Sequence, residues 1–302
     1  MPMQSALPAL PGSSPDPGAG PAETTAFDGL LDAAGALGCS SIEAALAVHR
    51  EVLAGPHADL VGPLLLPADM AERFRAALRP ADLGLRVLLV ATSTADGGTP
   101  LGTLHAARAA LIDKDRIEVV GARMPLPPLP DPERAAQALL AVLDLSVPAW
   151  VEVPAGPGAL AALEVLAVDG AEDVSIDLTG GDDDALARVL RRAVDLGLSF
   201  RVGDGSAGST AGRDPQGGRA VGVHRGPGPG LLNLLCAVRA ALNGAGEADL
   251  EQVLAEAQPQ PLVSAIRRMS AADAAVTRSF LAGVQIADPP AAIDELASLG
   301  LL

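Results

Sequence analysis

From Val61 onward, short apolar runs alternate with segments whose apolar residues recur at helical spacing. The runs lie at 61–66, Arg86–Thr92, Arg116–Ala122, Ala149–Val153, Asp173–Leu178, Ser199–Gly203, Ala220–His224 and Gly283–Ala287. Each reads as a strand, eight in all. Helical patterns separate most of them, at Pro100–Ile112, Pro132–Leu143, Ala159–Val168, Asp183–Leu196, Leu231–Leu242 and Pro290–Leu299. Strands alternating with helices of this length require parallel pairing through right-handed crossovers. Eight such units predict an α/β fold of the (β/α)8, TIM-like barrel type. The alternative is an open doubly wound sheet. Against it, residues 64–70 read Leu-Leu-Leu-Pro-Ala-Asp-Met, without the glycine fingerprint expected after a Rossmann first strand.

Upstream, Leu30, Leu31, Ala34 and Leu37, then Ile42, Ala45, Leu46, Val48 and Val52, follow helical spacing. They predict one or two helices over 27–54 that precede a barrel spanning 60–302, the whole forming a single domain over 27–302. Residues 1–26 are rich in Pro, Gly, Ala and Ser and read as a disordered tail. Two insertions break the regular alternation. Residues 203–219 carry Gly, Ser, Thr and Asp without a helical pattern, and Glu247 to Arg278 adds two helical stretches before the last strand.

Composition then narrows the function. A hydrophobic share of 49% with 19% charge excludes a wholly disordered chain, and no apolar run of about 18 residues offers a membrane span. Thirty-seven acids against 21 bases give a net charge of −16, which repels phosphate backbones and anionic membranes, so neither nucleic acid nor membrane is expected as a partner. The chain has one lysine, Lys114, and no tyrosine, so Schiff-base chemistry has one candidate and phenolic acid catalysis none. Cys39 and Cys236 stand far apart and belong to no CxxC, which points to structural thiols and a reducing cytoplasm. Residues 1–22 show neither early basic residues nor a long apolar stretch, and so do not read as a signal peptide. No HExxH, GxSxG or P-loop occurs, and no cofactor or metal is expected.

Barrel active sites form at the carboxyl ends of strands, so polar residues within the apolar runs become the candidates. Glu152 alternates with Val151 and Val153, Asp177 sits between Ile176 and Leu178, Arg201 between Phe200 and Val202, and His224 follows Val223. Glu152 or His224 would act as acid or base, with Arg201 anchoring an anionic substrate group. Paired charges at strand ends can equally be structural. Two glycine-rich helix starts could add backbone donors for an anion. Thr179-Gly180-Gly181 is followed by three aspartates, which favour capping. Gly226 to Gly230 follows His224 and Arg225 and precedes Asn233, and is the better anion candidate.

Thr179-Gly180-Gly181, Arg201, Gly230-Leu231-Leu232-Asn233, and Asp288-Pro289 with Leu299-Gly300-Leu301-Leu302 together resemble an uncharacterised family of actinobacterial barrel-like proteins. The resemblance covers roughly residues 60–302. It implies ligand contacts for Thr179, Gly180, Gly181 and Asn233. It departs where the family carries Lys and Arg before Thr-Gly-Gly, here Ile176 and Leu178. It departs again where the family carries His-His, here Ala207-Gly208, and where it carries Cys, here Val284. These replacements imply a divergent member, and they imply that the Ile176 and Leu178 side of its strand faces the pocket, turning Asp177 away.

The resulting expectation is a metal-independent enzyme acting on an anionic small metabolite by proton transfer or lyase chemistry. The alternative is a divergent non-catalytic barrel that binds a ligand or protein partner. A third reading is a homo-oligomer sharing the apolar surface from Leu231 to Val238.

Overall fold

A computed structural model describes residues 26–38, 41–92, 99–111, 116–143, 147–169, 182–203 and 229–302, together with the backbone of 174–179. Eight parallel strands close into a barrel in chain order: β1 Leu31–Ala33, β2 Val61–Pro67, β3 Leu85–Val90, β4 Ile117–Pro125, β5 Ala149–Pro154, β6 Val174–Thr179, β7 Phe200–Gly203 and β8 Leu281–Ile286. The expected (β/α)8 architecture is the observed one.

Two strand assignments change within it. The segment expected to hold only helices contains β1, which pairs with both β2 and β8, so the barrel begins near residue 31 instead of 60. Three residues are too few to display alternation, and Leu30, Leu31 and Ala34 fit helical spacing equally well. The run Ala220–His224, expected as the seventh strand, lies outside the described residues, as do residues 1–25 of the expected tail. The ring is complete without that run, because β7 pairs directly with β8 through Arg201↔Gly283 and Val202↔Val284.

Twelve helices are described: α1 Gly35–Gly38, α2 Ile42–Leu53, α3 Ala71–Ala77, α4 Pro100–Ala110, α5 Pro132–Leu140, α6 Ala159–Asp169, α7 Asp183–Asp195, α8 Leu231–Leu242, α9 Glu247–Ala255, α10 Pro259–Arg267, α11 Ala271–Phe280 and α12 Pro289–Ser298. Their starts follow local chemistry. Ser41, Thr99, Asp131, Asp182, Ser270 and Asp288 each accept a backbone N–H in the first turn of the helix they precede, and Pro100, Pro132, Pro259 and Pro289 occupy early positions where no N–H is missed. The insertion before the last strand holds three helices, α9, α10 and α11, where two helical stretches were expected, and they cover α8. Leu231, Leu232, Leu234, Leu235, Ala237 and Val238 are fully buried there, so the apolar stretch considered for an oligomer surface is covered within the chain.

Apolar side chains form two layers. The larger lies between the strands and the helices and includes Val151, Val153, Phe200, Val202 and Val284. The smaller occupies the barrel interior, with Leu65, Leu88, Val90 and Trp150. Three interior glycines make room for larger neighbours. A Cβ on Gly283 would collide with the Arg201 guanidinium and the Asp32 carboxylate, one on Gly62 would meet Asp32 Oδ1 at 2.5 Å, and one on Gly121 would meet Trp150 Nε1 at 3.0 Å. Gly283→Ala should therefore cost about 1–3 kcal/mol by overpacking, whereas Gly156→Ala, with open space around it, should stay within about 0.5 kcal/mol of wild type. Urea unfolding of the two variants checks this.

His49 on α2 is 4% exposed, and its Nδ1 has no hydrogen-bond partner. Burial, with Arg50 nearby, holds its pKa down at about 4 against the ordinary 6.5. The unfolded chain thus takes up a proton that the folded chain refuses. Stability from this group is full above pH 6.5 and falls as the pH drops toward 4, with about 2 kcal/mol lost by pH 5. His49→Leu should flatten the unfolding free energy between pH 6.5 and 5, above the range where the paired carboxylates titrate. A parallel decline in both proteins would disprove the assignment.

Candidate functional site

Strand alternation brings charged side chains into the barrel. On β5, Val151 and Val153 face the helices, which sends Trp150 and Glu152 inward. The same alternation turns Arg123 on β4, Arg201 on β7, Asp32 on β1 and Gln285 on β8 toward the axis, each 8% exposed or less. Ionised groups are seldom buried without partners, and here the partners are one another. Arg201 is ion-paired with Asp32 on the neighbouring side of the ring, and its guanidinium lies 4.5 Å from the centroid of the Trp150 ring. Arg123 Nε stands 3.0 Å from Glu152 Oε1, and Arg123 Nη1 donates to Gln285 Oε1 at 2.9 Å. β4 and β8 are four strands apart in a ring of eight, so Arg123 spans the barrel.

The structure therefore brings together two of the expected site residues, Glu152 and Arg201, but with different partners from those expected. Arg201 is engaged by Asp32 and stacked on Trp150, so its charge is already matched within the protein and an anchor role would require breaking a buried ion pair. Glu152 is the most accessible of the four charged groups, its side chain 15% exposed. Asp177 is in register with Glu152 on one side and Arg201 on the other, whereas Ile176 is in register with Val151 and Phe200 of the helix-facing layer. The side chains of residues 174–179 lie outside the described residues, and with them the expectation that the Ile176 and Leu178 side of the strand faces the pocket.

Asn233 is removed from ligand contact by its environment. It is 0% exposed, its Nδ2 donates to the carbonyls of Val253 at 2.8 Å and Glu256 at 2.9 Å, and its Oδ1 accepts from Gly230 N at 3.2 Å. The side chain ties the start of α8 to the end of α9. Thr179 closes β6 in register with Pro154 and Gly203, and Asp182 caps α7 by accepting from Ala185 N at 2.9 Å, in line with capping after Thr-Gly-Gly. Gly180, Gly181, His224 and Arg225 lie outside the described residues, as do Cys39 and Lys114. Among the described residues, no group of three or more His, Cys, Asp or Glu side chains gathers as a metal site.

Sequence reading missed Asp32, Arg123, Trp150 and Gln285. Gln285 carried the same signal as Glu152, a polar residue between apolar ones in a strand. Arg123 follows directly on the run expected to end at Ala122, and Asp32 was concealed in the helical reading of its segment. Four of the eight strands end in unreactive Pro or Gly at the carboxyl face: β2 in Pro67, β4 in Pro125, β5 in Pro154 and β7 in Gly203.

Compared with protein-family models, with curated proteins and with solved structures, the chain finds no match in any of the three.

Removing one partner of a buried pair leaves the other charge uncompensated, at a typical cost of about 3–5 kcal/mol. Arg201→Met and Asp32→Asn should each destabilise the fold on this scale, and the double variant should be more stable than the sum of the single losses predicts. Additive losses in a double-mutant cycle by urea unfolding would contradict the pairing.

Proposed function

We propose that this chain is a non-catalytic barrel that binds a small anionic metabolite at its carboxyl face, a divergent member of the actinobacterial family it resembles. What carries the reading is the internal neutralisation of the site. Asp32 and Glu152 balance Arg201 and Arg123, and several strands end at the face in Pro or Gly, where barrel enzymes place acids, bases and nucleophiles. The anionic class is supported by the polarity of the fold. In a (β/α)8 barrel the helix N-termini gather around the carboxyl face, and the first-turn N–H groups left over by caps such as Thr99, Asp131, Asp182 and Asp288 favour negative charge there. No helix among the described residues is long and apolar enough to cross a membrane, and the free, buried Cys236 thiol goes with a reducing, cytoplasmic setting.

The second reading, an enzyme using Glu152 as acid or base, is favoured by the accessibility of that carboxylate relative to the other three charges. One experiment separates the two. Thermal unfolding of the full chain is measured against sugar phosphates, keto acids and nucleotides. A ligand at about 100 times its Kd adds about 2.7 kcal/mol and raises the midpoint by several degrees. The stabilising ligand is then incubated with wild type and Glu152→Gln and followed by proton NMR. Binding with the ligand unchanged is the expected result. Turnover that Glu152→Gln abolishes would transfer the protein to the enzyme reading, and a panel with no stabilising ligand would overturn both small-molecule readings.

A further inference from the structure

Away from the barrel axis, α8, α9, α10 and α11 enclose a cleft of about 370 Å³ that has no part in the interior network. Ala240, Val253 and Met269 give it apolar walls, and the Cys236 thiol lies among them. That thiol is 7% exposed and burial pushes its pKa up to about 12, so the cleft is not a place for cysteine nucleophilicity. The polar lining consists of Arg239, Arg268, Asn243 and Asp273.

The charges of that lining are unequal. Arg239 is matched by Asp273 at 2.5 Å. Arg268, the exposed residue that caps the end of α10, makes no hydrogen bond or ion pair through its side chain among the described residues, and neither does the Asn243 amide. Arg79 and Arg108 likewise have no side-chain partner among the described residues, whereas Arg50, Arg73, Arg123, Arg192 and Arg201 are held by carboxylates; of the three unpartnered arginines, Arg268 is the one that lines this cleft. Arg116, Arg267 and Arg278 donate to backbone carbonyls instead. Two arginines and one aspartate leave the lining with one net positive charge beside an apolar wall.

We propose that this cleft is a binding site for small aliphatic monocarboxylates, with the carboxylate on Arg268 and the Asn243 amide and the hydrocarbon chain against Val253 and Met269. A monoanion matches the single excess charge. A phosphate dianion meets the Asp273 carboxylate and gains nothing from the apolar wall. The site is separate from the barrel mouth and does not depend on the function proposed for it.

Isothermal titration of the full chain with butyrate, acetate and inorganic phosphate tests the assignment. Butyrate should bind one site per chain and more tightly than acetate or phosphate. Arg268→Ala and Asn243→Asp should each weaken butyrate at least about tenfold. Both residues are exposed, so ligand-free unfolding midpoints should stay near wild type. Arg108→Ala, which removes an arginine of α4 away from the cleft, should leave binding unchanged. Absence of butyrate binding, tighter binding of phosphate than of butyrate, or full binding by a folded Arg268→Ala would each overturn the proposal.

Discussion

The interior of this barrel depends on the requirement that a buried charge have a partner. Arg201 enters from β7 and Asp32 from β1, separated in the ring by β8, and neither could be desolvated alone. Their meeting explains features that otherwise look unrelated. β8 carries Gly283 where any side chain would occupy the space of the ion pair, β2 carries Gly62 beside the same carboxylate, and Trp150 offers its ring face to the guanidinium. The pair also gives β1 a reason to exist. With only three residues it forms few ladder hydrogen bonds, yet it closes the ring and delivers Asp32 to the axis.

A second charge group lies along the same axis, with Arg123 reaching from β4 across to Gln285 on β8 and holding Glu152 beside it. The two groups are self-neutralising, and this bears on function more than any single residue does. With Arg201 held by Asp32 and Arg123 by Glu152, these two cations have little electrostatic reason to draw a substrate anion inward. The two binding sites proposed above accordingly lie outside this interior, one at the carboxyl face and one in the helical insertion. The cleft beside α8 differs from the barrel interior in this respect, because its Arg268 retains an unmatched charge.

The barrel class was legible from local signals. Apolar runs of strand length, helix-period segments between them and the capping aspartates after Thr179-Gly180-Gly181 are all short-range features, and they define βα units before any tertiary contact forms. Alternation alone also placed Glu152 and Arg201 among the candidates, because a polar residue between two helix-facing apolar ones must turn inward. Asn233 was misread for the opposite reason. Its type and place at a helix start suggested a ligand contact, but its amide is used by carbonyls of α9 and of the residue after it, twenty or more residues away in sequence.

What the sequence determined by itself, then, is the unit and its repetition, since helix period, strand alternation and capping act over a few residues. Tertiary structure decided which eight strands close the ring, that a three-residue segment read as helix is the first of them, and that each inward charge meets another charge. These outcomes depend on contacts such as Arg201 with Asp32 and Arg123 with Gln285, more than 160 residues apart. No local pattern encodes such contacts, because they arise only when the barrel closes and the cost of burying each charge selects its partner.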